Sequence, residues 1–280
     1  MTVSPLNRLW GSALKGLRLV ARKSIDEAAS GLGQDRSMVS RFENGQRIPS
    51  PELVERLLGC YGIPQSVQSQ IAATAHALQV GGWWSPHVGD VNRDLLDYVW
   101  CEWHATELQV FEPLLVPGLL QTSGYMEALI GVDSHAKSSA QARRWLSFRK
   151  KRQDLFEVET SPQIQIVLYE AALRCQVGDE AVMRQQFDHL LRMAQSPNVD
   201  IRVLTFEAAA KTALQGEFTI FTLPQPLEII AVTQTGSMNV FLESRAAIDD
   251  QAADFARILR GSLSGAESLE LVGAMRKNLR

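Results

Sequence analysis

The chain has 280 residues, 45% of them hydrophobic and 21% charged, with a formal net charge of −3. This is ordinary globular composition, long enough to bury a core in one large domain or two modest ones, and it excludes disorder over long stretches. Cys60, Cys101 and Cys175 are scattered and form no Cys-x-x-Cys pair, which argues against a disulfide framework and against a thiolate zinc site.

The stretch from Met1 to Arg8 lacks the charged-then-apolar layout of a signal peptide. No uninterrupted apolar run reaches the roughly 18 to 20 residues that span a bilayer. A cytoplasmic chain without membrane association is expected. The net charge hides an asymmetry. Residues 1–64 carry nine Lys/Arg against six Asp/Glu, and the remainder carries 19 against 25. A basic head on an acidic body suits a protein that docks one end on a polyanion.

From Leu6 the apolar residues recur at Leu9, Trp10, Ala13, Leu14, Leu17 and Val20, which is helical spacing with one face inward. Ser24 followed by Glu27 is a capping-box pattern, and it opens a helix whose inward face is Ile25, Ala28, Ala29 and Leu32. Gly33 permits the left-handed turn that two steeply crossing helices need. Asp35 can cap a third helix, Arg36 to Glu43, ended by Gly45 and Pro49. Val39 and Phe42 face inward in that helix, leaving Arg36, Ser37, Ser40 and Arg41 outside. Arg can bond guanine O6 and N7 together, and Ser can bond several bases or a phosphate.

The stretch from Ile25 to Pro49 resembles the helix-turn-helix of the Cro/phage-repressor (xenobiotic-response-element, XRE) family. The markers are Ala29, Gly33, Ser40, Glu43, Asn44 and Gly45 at the family's spacing. The resemblance implies base contacts from Arg36, Ser37 and Arg41, phosphate contacts from Asn44 and Arg47, and a structural ion pair between Arg18 and Glu43. Ile25 stands where that family often carries a phosphate-contacting Gln, so this contact is not assigned. The alternative is a small helical bundle with a charged surface.

Pro51 opens a fourth helix running to Tyr61-Gly62, where Cys60 is expected to be a small core residue. Residues 65–80 read as a helical connector, broken at Gly81-Gly82-Trp83-Trp84-Ser85-Pro86. The two Trp side chains suit either stacking on a ligand or packing the joint between domains, and the second is preferred because large aromatics are costly to leave in water.

Beyond Asp90 a helix is expected from Asp94 to Leu108, an extended piece from Val110 to Val116, and a turn at Pro117–Thr122 leading into a helix ending near Ile130. Residues 138–156 form a long basic helix with Arg143, Arg144, Arg149, Lys150, Lys151 and Arg152. That surface suits a phosphate footprint, or, by preference, ion pairs with Glu102, Glu107 or Glu157. Ile164–Tyr169, a helix around 180–194 and Val199–Leu204 suggest a βαβ unit. Phe218–Leu223 and Leu227–Val232 suggest a hairpin. Helices at about 246–261 and 264–278 follow.

The phrases Glu102-x-x-Ala105, Val116-Pro-Gly-Leu-Leu-Gln-Thr-x-x-Tyr125, Arg152-Gln153, Glu170-Ala-Ala-Leu-Arg174, Val177-Gly178, Pro197-Asn198-Val199 and Gly216-Glu-Phe218 stand in order. Together they resemble the C-terminal domain of actinobacterial helix-turn-helix regulators of the WhiJ-like, antitoxin-like type. That resemblance implies a small partner protein encoded by a neighbouring gene. The Pro117–Thr122 phrase has a structural reading, in which Thr122 or Ser123 caps the next helix, preferred over a pocket or partner-facing loop.

No catalytic motif stands out. The histidines His76, His87, His104, His135 and His189 are isolated, and there is no His-Glu-x-x-His helix, phosphate-binding loop or nucleophile elbow. Cys175 near Glu170 and His189 is expected to be a buried structural cysteine. Glu170 and Glu217 lie at strand ends with nothing to pair them.

The expected fold class is multidomain, an all-α, five-helix, phage-repressor-like helix-turn-helix head with a larger α+β (mixed α/β) C-terminal domain. The expected division is 1–64 for DNA binding, 65–90 for connector and hinge, and 91–280 for regulation, dimerisation or partner binding. The expected function is a sequence-specific DNA-binding transcriptional regulator, a homodimer on double-stranded DNA that reads a palindromic operator. The alternative is an antitoxin-like protein that mainly binds a small toxin-like partner and autoregulates through DNA. A third possibility, an enzyme or small-molecule receptor, would show a pocket lined by converging polar residues. No enzyme activity, cofactor or metal is expected.

Overall fold

The computed structural model describes residues 3–132, 139–212, 216–235 and 238–279. The N-terminal region is helical: α1 (Pro5–Val20), α2 (Ile25–Leu32), α3 (Arg36–Glu43), α4 (Pro51–Cys60) and α5 (Gln65–Val80). Each start is written locally. Ser4, Ser24 and Ser50 accept bonds from first-turn N–H groups, and the reciprocal Ser24–Glu27 capping box is formed. Gly33 ends α2 at φ 62°, in the left-handed region. Trp10, Leu14, Val39, Phe42, Val54, Leu57 and Leu58 are fully buried and make the core of this region. α5 lies along α4 and buries Ile71, Ala72 and Ala75, which makes it a packed fifth helix.

The remainder is a mixed six-stranded sheet with helices on both faces. Its elements are α6 (Arg93–His104), β1 (Glu107–Glu112), α7 (Ser123–Val132), α8 (Ser139–Arg152), β2 (Gln163–Tyr169), α9 (Glu170–Arg174), α10 (Glu180–Met193), β3 (Val199–Leu204), α11 (Phe206–Ala209), β4 (Phe218–Thr222), β5 (Ile229–Thr235), β6 (Met238–Phe241), α12 (Arg245–Gly261) and α13 (Gly265–Asn278). The strand order is β3-β2-β1-β4-β5-β6. β1, β2 and β3 are parallel, while β4, β5 and β6 pair antiparallel on the other side of β1.

Side-chain alternation divides the strands between two cores. Leu108, Val110, Ile164, Ile166, Ile201, Val203, Phe221, Ile230 and Val232 share one core with α6, α10 and α13. Phe111, Val167, Phe218, Ile220 and Ala231 face α12, meeting Ile248, Phe255 and Ile258.

The β2–α10–β3 unit and the β4–β5 hairpin fall where the pattern places them. Two features differ. Glu107 and Leu108, expected in the helix from Asp94, begin β1 instead. α6 stops at His104 and Ala105 turns extended, because Thr106 N–H donates to the Thr222 carbonyl and draws the chain into the sheet (2.8 Å). Strand β6 is the second: its four residues are too short for a period-two pattern to stand out in the sequence. Trp83 and Trp84 pack into the joint: Trp83 lies 5.9 Å from Trp103 and 5.3 Å from Phe148, ring to ring.

The helical region is tied to α6. Leu6 N–H donates to Asp97 Oδ2 (3.1 Å), and Trp100 Nε1 donates to the Ala77 carbonyl (3.3 Å). Thr74 hydroxyl donates to the Gln225 carbonyl (2.7 Å), and Arg8 pairs with Glu243 (2.6 Å). Burial raises the Asp97 carboxyl above its ordinary range, although the Leu6 N–H pulls the other way.

Candidate nucleic-acid interface

Helix α3 is held from behind and open in front. Its rear face buries Val39, Phe42 and Glu43. Arg36, Ser37, Arg41, Asn44 and Arg47 are exposed, and Ser40 is half-buried between them. The sequence-derived positions thus occupy one continuous outer surface formed by α3 and the turn after it.

Two glycines fix the rear contact. A Cβ on Gly11 would stand 2.6 Å from Gly45 N and 2.7 Å from the Phe42 carbonyl oxygen. Gly45 sits at φ 66°, and a Cβ there would collide with the Asn7 backbone. The backbones of α1 and the α3 turn therefore touch with no side chain between them. Gly45→Ala is expected to cost about 2 kcal/mol or more, from a strained φ and a backbone collision together. Thermal unfolding reads it, and a loss under about 0.5 kcal/mol would contradict this close approach.

Beside that contact lies a buried ion pair. Arg18 Nε and Nη2 donate to the two Glu43 carboxylate oxygens (2.6 and 2.9 Å), and Nη1 donates to the Lys23 carbonyl (2.8 Å). Both side chains are largely enclosed, and the hydrogen-bonded Glu43 carboxylate raises the Arg18 pKa further. This fork ties α1, the α1–α2 turn and the end of α3 to one another.

On the outer face, Arg36 pairs with Asp26 of α2 (3.3 Å) with both side chains well exposed, so exchanging that partner costs little. Asn44 donates to Ser40 Oγ (3.3 Å), and Arg47 lies against the Met38 sulfur (3.7 Å). The Arg41 side chain makes no ion pair or hydrogen bond with the described residues. Asp35 is the N-cap of α3, yet its side chain accepts no bond from the first turn. The Met38 N–H donates to the Asp35 carbonyl (2.9 Å), which leaves the Arg36 and Ser37 N–H groups to an anion.

The body holds a feature the sequence did not reveal. Glu217, expected to stand without a partner, faces the carboxyl of Glu112, and burial raises both carboxyls above their ordinary range. The β1–β4 register pairs Phe111 with Phe218, so the next residues, Glu112 and Glu217, stand opposite each other. Arg152 of the basic helix donates twice to Glu102 (2.9 and 2.6 Å) in the buried interior. A cavity of about 300 Å³ opens beside these groups. Signals for it were present only as separate letters, because its members come from distant strands.

The Pro117–Thr122 phrase is a hydrogen-bonded knot that also walls this cavity. Gln121 Nε2 donates to the Val116 carbonyl (2.8 Å), Gln153 Nε2 to the Gln121 carbonyl (2.7 Å) and Gln186 Nε2 to the Leu120 carbonyl (2.6 Å). Thr122 Oγ1 caps α7 through Tyr125 N–H (3.4 Å). Cys175, expected to be buried, is exposed, and Cys60 is only half-buried. The buried Glu170 carboxylate accepts the Phe206 N–H (2.9 Å) and pairs with Arg174, which gives it a structural task. Among the described residues no group of His, Cys, Asp and Glu is arranged to hold a metal. His135 lies outside the described residues. No described helix is long and apolar enough to cross a membrane.

Residues 11–69 match the family described as a helix-turn-helix domain (HTH_31). Residues 95–274 match the family described as a domain of unknown function (DUF5753). No curated protein and no solved structure matches the chain. The chain therefore carries an N-terminal helix-turn-helix domain, and that domain implies DNA binding.

Proposed function

This chain belongs to the DUF5753 family, and on that premise, with a helix-turn-helix head in front, we propose that it is a sequence-specific DNA-binding transcriptional regulator acting in the cytoplasm. The observation that carries the reading is α3. Its apolar face is fully buried, its orientation is fixed by Gly11, Gly45 and the Arg18–Glu43 fork, and its polar face is left open to a major groove. Arg36, Ser37, Ser40 and Arg41 read bases, and Asn44 and Arg47 hold phosphates. The likeness of Ile25–Pro49 to Cro/phage-repressor heads supports these roles.

Pairing into a homodimer would place two heads on the half-sites of a palindromic operator. Strand β6, at one edge of the sheet, exposes Met238 and Val240. Apolar side chains on an edge strand favour contact with another chain. The same surface supports the second reading, capture of a small partner protein, suggested by the likeness to WhiJ-like regulators. Sedimentation of the isolated chain separates the two: a dimer alone supports the first, a monomer that associates only with the neighbour-encoded protein the second.

Selection from a random DNA pool, followed by titration of variants, tests the reading. Arg36→Ala and Arg41→Ala are each expected to cost about 1 to 3 kcal/mol and to relax preference at one base position. Arg47→Ala is expected to weaken binding to all sequences equally and to lower the salt slope by about one unit. Unchanged affinity in both Arg36→Ala and Arg41→Ala would remove α3 as the reading helix.

A further inference from the structure

The inner face of the sheet is largely apolar, with one polar row across it. Strand registers align Glu112 of β1, Glu217 just before β4, Gln234 of β5 and Asn239 of β6, side by side across the sheet. All four line the 300 Å³ cavity. α6 and α8 close it from above with Leu95, Tyr98, Trp145 and Phe148. It sits at the carboxyl end of β1, where the parallel strands give way to antiparallel ones, the place at which open α/β sheets bind ligands. The size falls within the range of small-molecule pockets.

On the cavity floor the carboxyls of Glu112 and Glu217 stand opposite each other, beside the amide of Asn239. Two carboxyls facing each other across neighbouring strands repel unless a proton or a cation lies between them. Asn239 is buried: its N–H and Nδ2 donate to Asp94 Oδ2 (2.5 and 3.2 Å), but its Oδ1 has no partner among the described residues. A buried acceptor left without a donor is costly. The cations nearby are already engaged. Arg152 is committed to Glu102 by two bonds, and Arg149 lies over the Trp145 ring and donates to Gln121 Oε1 (3.3 Å). The facing carboxyls and the Asn239 amide oxygen on the floor, with aromatic rings on the wall, define the complement: a protonated nitrogen carried on an apolar body.

We propose that this cavity is a binding site for a small amphipathic amine, its ammonium held by Glu112, Glu217 and Asn239 and its apolar part packed against Tyr98, Trp145 and Phe148. This assignment does not depend on the DNA-binding reading, since it is measured without DNA.

Three probes that share a phenethyl body and differ in charge test it by calorimetry on the full chain: 2-phenylethylamine, the neutral 2-phenylethanol and the anionic 3-phenylpropanoate. The amine is expected to bind saturably at a single site, about tenfold or more tighter than the alcohol, with no measurable binding of the anion. Glu217→Gln, which keeps the shape and removes the charge, is expected to weaken the amine about tenfold or more while leaving the alcohol unchanged. The probe comparison needs no variant and so stands even if Glu217→Gln fails to fold. Equal binding of amine and alcohol, preference for the anion, absence of saturable amine binding, or full affinity in folded Glu217→Gln would each overturn the proposal.

Discussion

Arg18→Met is expected to destabilise the helix-turn-helix region by about 3 kcal/mol or more. Met preserves much of the apolar stem, so the loss isolates the guanidinium. Without it the buried Glu43 carboxylate has no counter-charge, and the Lys23 carbonyl loses its donor. The cost is that of a stranded charge, and it exceeds what an exposed pair such as Arg36–Asp26 contributes. Replacing both partners with apolar residues, Arg18→Met with Glu43→Leu, is expected to recover most of the loss. Urea unfolding of the single and double variants measures both effects. A single variant within about 1 kcal/mol of the parent would mean that water reaches Glu43 and the fork is only a surface contact.

Arg152→Met is expected to have an effect of similar size in the body, about 3 to 5 kcal/mol near neutral pH, and to show a steeper pH dependence than the parent. Glu102 is enclosed, and burial raises its carboxyl above the ordinary range even with Arg152 opposing that shift. The Arg152 guanidinium also faces Tyr98, at 5.6 Å from its ring, and Glu112, whose carboxyl is raised well above the ordinary range by burial and by Glu217. Removing the cation raises Glu102, Glu112 and Glu217 further. A carboxyl raised in the folded state contributes stability that is complete below its unfolded pKa and is lost as pH rises through the folded value. The variant should therefore unfold more readily at about pH 7.5 than at about pH 5, with the parent changing less over the same window. A variant whose deficit is flat with pH, or larger in acid, would show that Arg152 is not the counter-charge of these carboxyls.

The head was legible because its determinants are local. Ser24 and Glu27 write the start of α2, Gly33 its end, and the alternation of Val39 and Phe42 with Arg36, Ser37 and Arg41 writes the two faces of α3 within a dozen residues. The body was legible only in outline. β2, α10, β3 and the β4–β5 hairpin carry their own patterns, whereas the start of β1 is decided by pairing with Thr222, more than a hundred residues away. Placing Glu107 and Leu108 in a helix follows local propensity, and tertiary pairing overrides it.

The polar row is the extreme case. Of Glu112, Glu217, Gln234 and Asn239 only Glu217 stands out in the sequence, as a strand-end residue, and their meeting depends on three registers that no local spacing encodes. The basic helix was read further: an ion pair with Glu102 is among the expected ones, and the fold makes it with Arg152, although the letters alone do not say that the pair is buried. α6 links the two halves. Asp97 takes the α1 N–H of Leu6, while Tyr98 and Glu102, one and five residues on, line the cavity. A ligand that shifts α6 would thus act directly on the seat of the head.

The measurement that bears most directly on the central claim is a footprint of the purified chain on its own promoter region, taken at two salt concentrations with Arg36→Ala/Arg41→Ala in parallel. A discrete, two-fold symmetric, salt-sensitive footprint that the double variant loses is the expected result. A footprint unchanged in the double variant, or no protection at either salt concentration, would contradict the assignment of α3 as the surface that reads DNA.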